Sequence, residues 1–180
     1  MMDSMVERAR HVLRAQPVSA WLGVELREFT TCQAEIGFRI RRELTGQHGV
    51  VHGGIVSYAA DNALAFAGGS VLGPDVVTSE FKINFVRPAL GEEIVARATV
   101  VHTGRTQAVC RCDVFFIREG IEALCATAQG TIVLRARTRG RSSGIATMPP
   151  AASRELIAPP PGTTARFDTC LLYTSDAADE

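Results

Sequence analysis

The stretch 54–67 narrows the possibilities for this chain more than any other. It carries Ile55, Val56, Tyr58, Ala59, Ala60, Ala63, Leu64, Ala65 and Phe66, with one charge, Asp61, in the middle. A surface helix has an apolar stripe on one side only. This segment is apolar nearly all round, so it is read as a helix buried on most of its sides. Gly68-Gly69 is read as its stop. Such a helix needs a fold that surrounds it.

The flanking segments supply the wrapping. Residues 5–15 place Met5, Ala9, Val12 and Leu13 on one face, with Glu7, Arg8, Arg10 and Arg14 elsewhere, which predicts an amphipathic helix ended by Pro17. Residues 21–29 and 33–40 alternate apolar and polar around Thr30-Thr31-Cys32, the pattern of a hairpin. After the buried helix come four strand candidates, 76–85, 93–102, 106–117 and 123–134, rich in Val, Ile, Phe and Thr. Pro88-Ala89-Leu90-Gly91, Gly104-Arg105 and Arg118-Glu119-Gly120 punctuate them as turns. The expectation is an α+β fold: about six antiparallel strands wrapped around one central helix, with an N-terminal helix. One sheet with one helix leaves a face and edges uncovered, so self-association is expected.

Composition excludes whole classes of function. Nineteen Lys and Arg balance nineteen Asp and Glu, which argues against a nucleic-acid binder or an acidic tail protein. No apolar run is read as reaching the ~20 residues that span a bilayer. The opening Met1-Met2-Asp3-Ser4-Met5 lacks the charged and apolar regions of a signal peptide. Five cysteines without framework spacing suggest a reducing compartment, so a cytoplasmic location is expected. Cys110 and Cys112 share one strand face and read as small core or surface residues, since CxC alone is poor zinc spacing. No metal or other cofactor is expected.

The end of the chain reads differently. Residues 1–137 hold the informative domain. Residues 138–169, rich in Gly, Ser, Pro and Ala, are expected to be a disordered extension. Residues 170–180 resemble the translation of a transposase sequencing adaptor and are expected to be an artefact. Setting aside Asp176, Asp179 and Glu180 leaves residues 1–169 with a net charge of +3, carried by 18 Arg and a single Lys. Arg135, Arg137, Arg139 and Arg141 alternate at the end of the last strand and are read as solubilising.

Asp61 does not fit its surroundings, because burying a carboxylate is costly unless it is paired or hydrogen-bonded. It is either a structural acceptor or a functional group. His52-Gly53-Gly54 begins the same helix, where unpaired N–H groups and the positive end of the dipole point outward and no Cβ blocks a ligand. That arrangement suits a carbonyl oxygen that becomes negative during attack.

The residues Gln47-His48-Gly49-Val50-Val51-His52-Gly53-Gly54 with Asp61, then 80–89 (EFKINFVRPA) and Thr103-Gly104-Arg105, resemble the PaaI-like hotdog-fold acyl-CoA thioesterases across about 18–134. The resemblance implies hydrolysis of acyl-CoA, aryl or medium-chain, to a free acid and CoA. It also implies a homodimer or dimer of dimers with active sites shared between subunits. Many members carry Asn six residues before the His; here that position is Gly46, and Gln47 is the nearest amide.

Asp61 lies seven residues past Gly54, ~10 Å along the helix, too far to act on a carbonyl held at its own helix start. Antiparallel helices of two subunits would close that gap. The N–H of Gly54, with that of Gly53, is expected to polarise the carbonyl while Asp61 acts as general base or nucleophile. Gln47 is expected to orient water or carbonyl, and His52 to brace the loop. Thr78 is a further candidate near the water, and Arg87 and Arg105 are candidates for CoA phosphates. The rival readings are a hotdog hydratase or dehydratase, and a non-catalytic acyl-CoA-binding protein.

Overall fold

A computed structural model describes residues 2–135. The adaptor-like segment, the Gly/Pro-rich extension and the arginines at 137, 139 and 141 lie outside the described residues.

The elements in order are α1 (Met2–Ala15), α2 (Pro17–Leu22), β1 (Glu25–Thr30), β2 (Gln33–Arg39), α3 (Gly53–Leu72), β3 (Val76–Phe85), β4 (Glu93–Thr103), β5 (Gln107–Arg118) and β6 (Ile121–Leu134). The strands form one antiparallel sheet in the order β1-β2-β4-β5-β6-β3. α3 lies across it and touches all six strands. The expected wrapped helix is therefore present. Ala59, Ala60, Ala63, Leu64 and Ala67 of α3 are fully buried against Ile36, Ile94, Ala108, Val114 and Ile132 of the sheet.

Two boundaries lie four or more residues from the sequence reading, and each has a physical cause. Pro17 ends α1 but also opens α2, since its fixed φ and missing N–H suit the first position of a helix. Trp21 and Leu22 thus belong to α2 and not to a strand; Gly23, left-handed at φ 72°, closes α2 before β1 begins. Gly68-Gly69 does not stop α3, which runs on to Leu72 and ends at Gly73, φ 109°. Gly68 serves contact: a Cβ there would lie 2.6 Å from Cβ of Ile132 on β6. With 20 residues, α3 becomes long and apolar enough to cross a membrane by length and composition, contrary to the sequence expectation. Its packing against every strand accounts for that apolarity without a bilayer.

The loop between β2 and α3 is held at several points. Thr45 and Val51 form an antiparallel bridge, Gly46 N–H donates to Val50 O (2.8 Å), and His52 N–H donates to Leu44 O (2.9 Å). Val51 N–H reaches Ala89 O at 3.0 Å, tying the loop to the segment that follows β3. These bonds fix the direction in which α3 starts.

Candidate active site

The start of α3 is open to solvent. His52 caps the helix through its side chain: its Nδ1 accepts from the N–H of Gly54 at 3.0 Å. Ile55 and Val56 donate to His52 O at 2.8 and 3.3 Å. Among the described residues this leaves the N–H of Gly53 without a protein acceptor at the helix start. The expected pair of donors is thus altered. Gly53 presents its N–H, whereas that of Gly54 is occupied by the imidazole. The Phe85 ring at the end of β3 lies over Gly53; a Cβ there would sit 3.5 Å from its Cζ. The two glycines therefore give a narrow, partly apolar opening onto a helix N-terminus.

Asp61 sits two turns further along α3. The residue is half-buried, yet its Oδ1 is fully buried and has no hydrogen-bond partner. A buried carboxylate oxygen left unpaired costs more than the ~1–3 kcal/mol of a neutral group. Its neighbour Tyr58 does not compensate, because its hydroxyl is committed elsewhere. Asn62 Nδ2 donates to Tyr58 OH (2.7 Å), and Ser19 Oγ lies 2.7 Å from that hydroxyl and donates to Gln16 Oε1 at 2.6 Å. Since the Ser19 proton goes to Gln16, Tyr58 must donate to Ser19. Burial raises the Tyr58 phenol above its ordinary range, the bonds to Ser19 and Asn62 lower it, and the nearby Asp61 charge raises it a little further. It remains a hydrogen donor at neutral pH.

This network of Gln16, Ser19, Tyr58 and Asn62 did not emerge from the sequence. Its members are up to 46 residues apart. One signal was available: Asn62 is a further polar residue inside the apolar run, directly after Asp61, and it is buried.

Gln47 lies in a short turn at the exposed tip of the loop before α3, beside His48, which adopts a positive φ of 66°. Thr78 is half-buried near the start of β3, at a bulge between Thr78 and Glu80. Val76 of β3 lies by Gly69 while Phe85 lies by Gly53, so β3 runs antiparallel to α3. Arg87 follows the Phe85 end. Arg105 sits in the β4–β5 turn, next to Thr106, whose carbonyl accepts from Leu134 beside the Val76 end. The two arginines are separated by the length of a ten-residue strand, ~30 Å. One protomer does not bring them together. Of the core and surface placements the sequence allows, Cys110 and Cys112 take the core, and burial pushes the Cys110 thiol up to about 11.

The sequence model of the thioesterase superfamily matches residues 48–119, the span from the loop before α3 to the end of β5. A thioesterase family protein from Silicibacter pomeroyi is 37% identical in sequence, and the match covers 72% of this chain and 98% of that one, with a TM-score of 0.69. The chain belongs to the thioesterase superfamily. Within it, a variant of the phenylacetic acid degradation protein PaaI from Thermus thermophilus is 30% identical over 67% of this chain and 100% of that one, TM-score 0.58. A thioesterase from Haemophilus influenzae is 25% identical over 71% of this chain and 88% of that one, TM-score 0.62. The chain is a PaaI-like, hotdog-fold member of a hydrolase family.

Proposed function

We propose that this thioesterase hydrolyses acyl-CoA, releasing a carboxylic acid and CoA, at a site shared between two subunits. The observation that carries the reading is the unpaired, buried Oδ1 of Asp61 inside a helix whose N-terminus is open. A polar atom kept in so costly a state, with no structural partner, is a candidate for contact with substrate or water during chemistry.

Geometry within one chain does not place Asp61 at its own helix start, which lies ~12 Å from Gly53 along the axis. A two-fold pairing of α3 with α3 brings Asp61 to the partner's Gly53 and the partner's Gly54. The long edge strand β3, with Val77 and Phe85 exposed at 44% and 55%, offers the surface for that pairing. The same antiparallel arrangement sets Arg87 near the partner's Arg105, so the two arginines could serve one CoA.

The thioester oxygen would accept from the N–H of Gly53, and from that of Gly54 once the His52 ring turns aside. Positive charge at the helix end stabilises the negative oxygen of the tetrahedral intermediate. Asp61 then takes one of two routes. As general base it removes a proton from water as the oxygen attacks the carbonyl carbon; the C–S bond breaks and the thiolate of CoA leaves and is protonated. As nucleophile its carboxylate attacks the carbonyl carbon, the C–S bond breaks and the CoA thiolate leaves and is protonated, and water then opens the resulting anhydride to the free acid and Asp61. In heavy-oxygen water, a single turnover labels Asp61 only by the second route. Gln47 orients the water or the carbonyl from the loop, and Thr78 assists near the water.

A thiol-release assay across acyl-CoAs of varied chain length, with phenylacetyl-CoA and hydroxybenzoyl-CoA included, tests the reading. Release with at least one series is expected. Binding of the esters without release from any would instead establish an acyl-CoA-binding protein.

A further inference from the structure

We infer that Ser19 is a positioning residue for the hydrolysis: it draws the proton of the Tyr58 hydroxyl away from Asp61, and so leaves the carboxylate free for water or the thioester. The inference rests on the reading of Asp61 as the reacting group.

A contrast on one helix is the first observation. Asp61 lies three residues beyond Tyr58 and Asn62 lies four, so both are its neighbours on the surface of α3. Side chains on a helix lean toward its N-terminus, which tips Asp61 and Asn62 back toward the tyrosine. A phenol beside a carboxylate is a natural donor to it, and a bond to a charged acceptor is the stronger one. Here the hydroxyl is paired with Asn62 and Ser19 instead, while the buried Oδ1 of Asp61 has no partner. The Asp61 charge is nevertheless close enough to act on the phenol.

A closed circuit of hydrogen bonds enforces that choice. Asn62 Nδ2 directs one hydrogen to Tyr58 OH at 2.7 Å and the other to Gln16 Oε1 at 3.2 Å, and lies 3.5 Å from Ser19 Oγ. Tyr58 donates to Ser19 at 2.7 Å, and Ser19 donates to Gln16 Oε1 at 2.6 Å. The Gln16 oxygen accepts twice and ends both branches. Every hydrogen in the circuit has its acceptor there, and none is left for Asp61.

The circuit is also anchored from outside α3. Ser19 is 1% exposed and Asn62 8%, so neither can exchange its partner for bulk water. The Gln16 backbone is tied on both sides: its N–H donates to Leu13 O at 3.2 Å, and its carbonyl accepts from Ala20 N–H at 3.0 Å. The acceptor that ends the circuit is therefore fixed to the junction of α1 and α2. Ser19→Ala removes only the acceptor of the Tyr58 proton and leaves both donations of Asn62 in place. That proton then turns to Asp61. A carboxylate engaged in such a bond has a lone pair fewer for water or substrate.

The test compares Ser19→Ala, Tyr58→Phe and the double variant with the best acyl-CoA, and adds the crystal structure of Ser19→Ala. Thermal melting checks that each folds; if Ser19→Ala does not, Ser19→Cys, whose thiol is a weak acceptor, takes its place. Ser19→Ala should lower kcat by about tenfold or more with KM within about twofold. Tyr58→Phe keeps the ring but has no proton to give, so kcat should stay within about threefold, and the double variant should return to that level. A circuit that merely fastens α2 to α3 gives the opposite order, with the double variant slowest. The crystal structure should show the Tyr58 hydroxyl at hydrogen-bond distance from Asp61. Unchanged kcat in Ser19→Ala, a double variant as slow as Ser19→Ala, or a Tyr58 hydroxyl still away from Asp61 would overturn the inference. Failure of the unaltered chain to release thiol from any ester would instead refute the catalytic reading, and the crystal structure would still decide where the Tyr58 proton goes.

Discussion

Asp61 could be recognised from sequence because it is a lone charge in an apolar run, and no partner was needed to see it. The pair His52 and Gly54 could not be read the same way. That an imidazole nitrogen accepts from the second helical N–H depends on a rotamer, and glycine at 54 leaves room for it: a Cβ would stand 3.1 Å from Nδ1. Two changes examine this corner. His52→Ala removes the cap and should cost about 1 kcal/mol in chemical denaturation. It also frees the Gly54 N–H, so stability falls even where turnover persists. Gly54→Ala should lower kcat for acyl-CoA by about tenfold or more with little change in melting temperature, because the added methyl presses on the imidazole and narrows access to the amides. Equal activity in that variant would remove the helix N-terminus from the reaction.

At the scale of elements, packing decides where the structure departs from local sequence signals. β3 matched from end to end because alternation and turn residues are local signals. The sequence places the end of α3 at Gly68-Gly69, because glycine terminates helices when nothing opposes it, yet α3 runs on to Leu72. Here Ile132 lies so near that only glycine fits at 68. Gly68→Ala should therefore destabilise by about 1–3 kcal/mol through overpacking, outweighing the ~1 kcal/mol helical gain of alanine. A neutral result in denaturant titration would mean the helix shifts freely. On the outer sheet face Arg97 bridges Glu35 at 2.6 Å and Glu122 at 2.6 and 2.7 Å. The Arg97 guanidinium holds the Glu122 carboxyl below its usual range. A lowered folded-state value means this contribution is present above the unfolded carboxylate range and is lost as pH falls through the folded value. Both side chains are more than a third exposed, so solvent screens the pair and Glu122→Gln should cost under about 1 kcal/mol at pH 7. The difference from the unaltered chain should vanish in acid.

At the scale of the whole molecule, six strands and one wrapped helix leave one long edge, β3, and an unpaired carboxylate within the helix, two turns from its open start. The sequence conveyed the uncovered edge as an excess of apolar surface, and antiparallel pairing through the distance from Gly54 to Asp61, but not that β3 runs antiparallel to α3. Replacing Val77 on that edge by Lys should shift a dimer toward monomer in light scattering and lower specific activity most at low protein concentration. The measurement that bears most directly on the central claim is kcat for the best acyl-CoA with Asp61→Asn, with melting temperature and oligomeric state recorded alongside. The expected result is a loss of about a hundredfold or more with association intact and stability equal or higher, because an unpaired buried charge has been removed. Near-normal turnover from an intact dimer would contradict it.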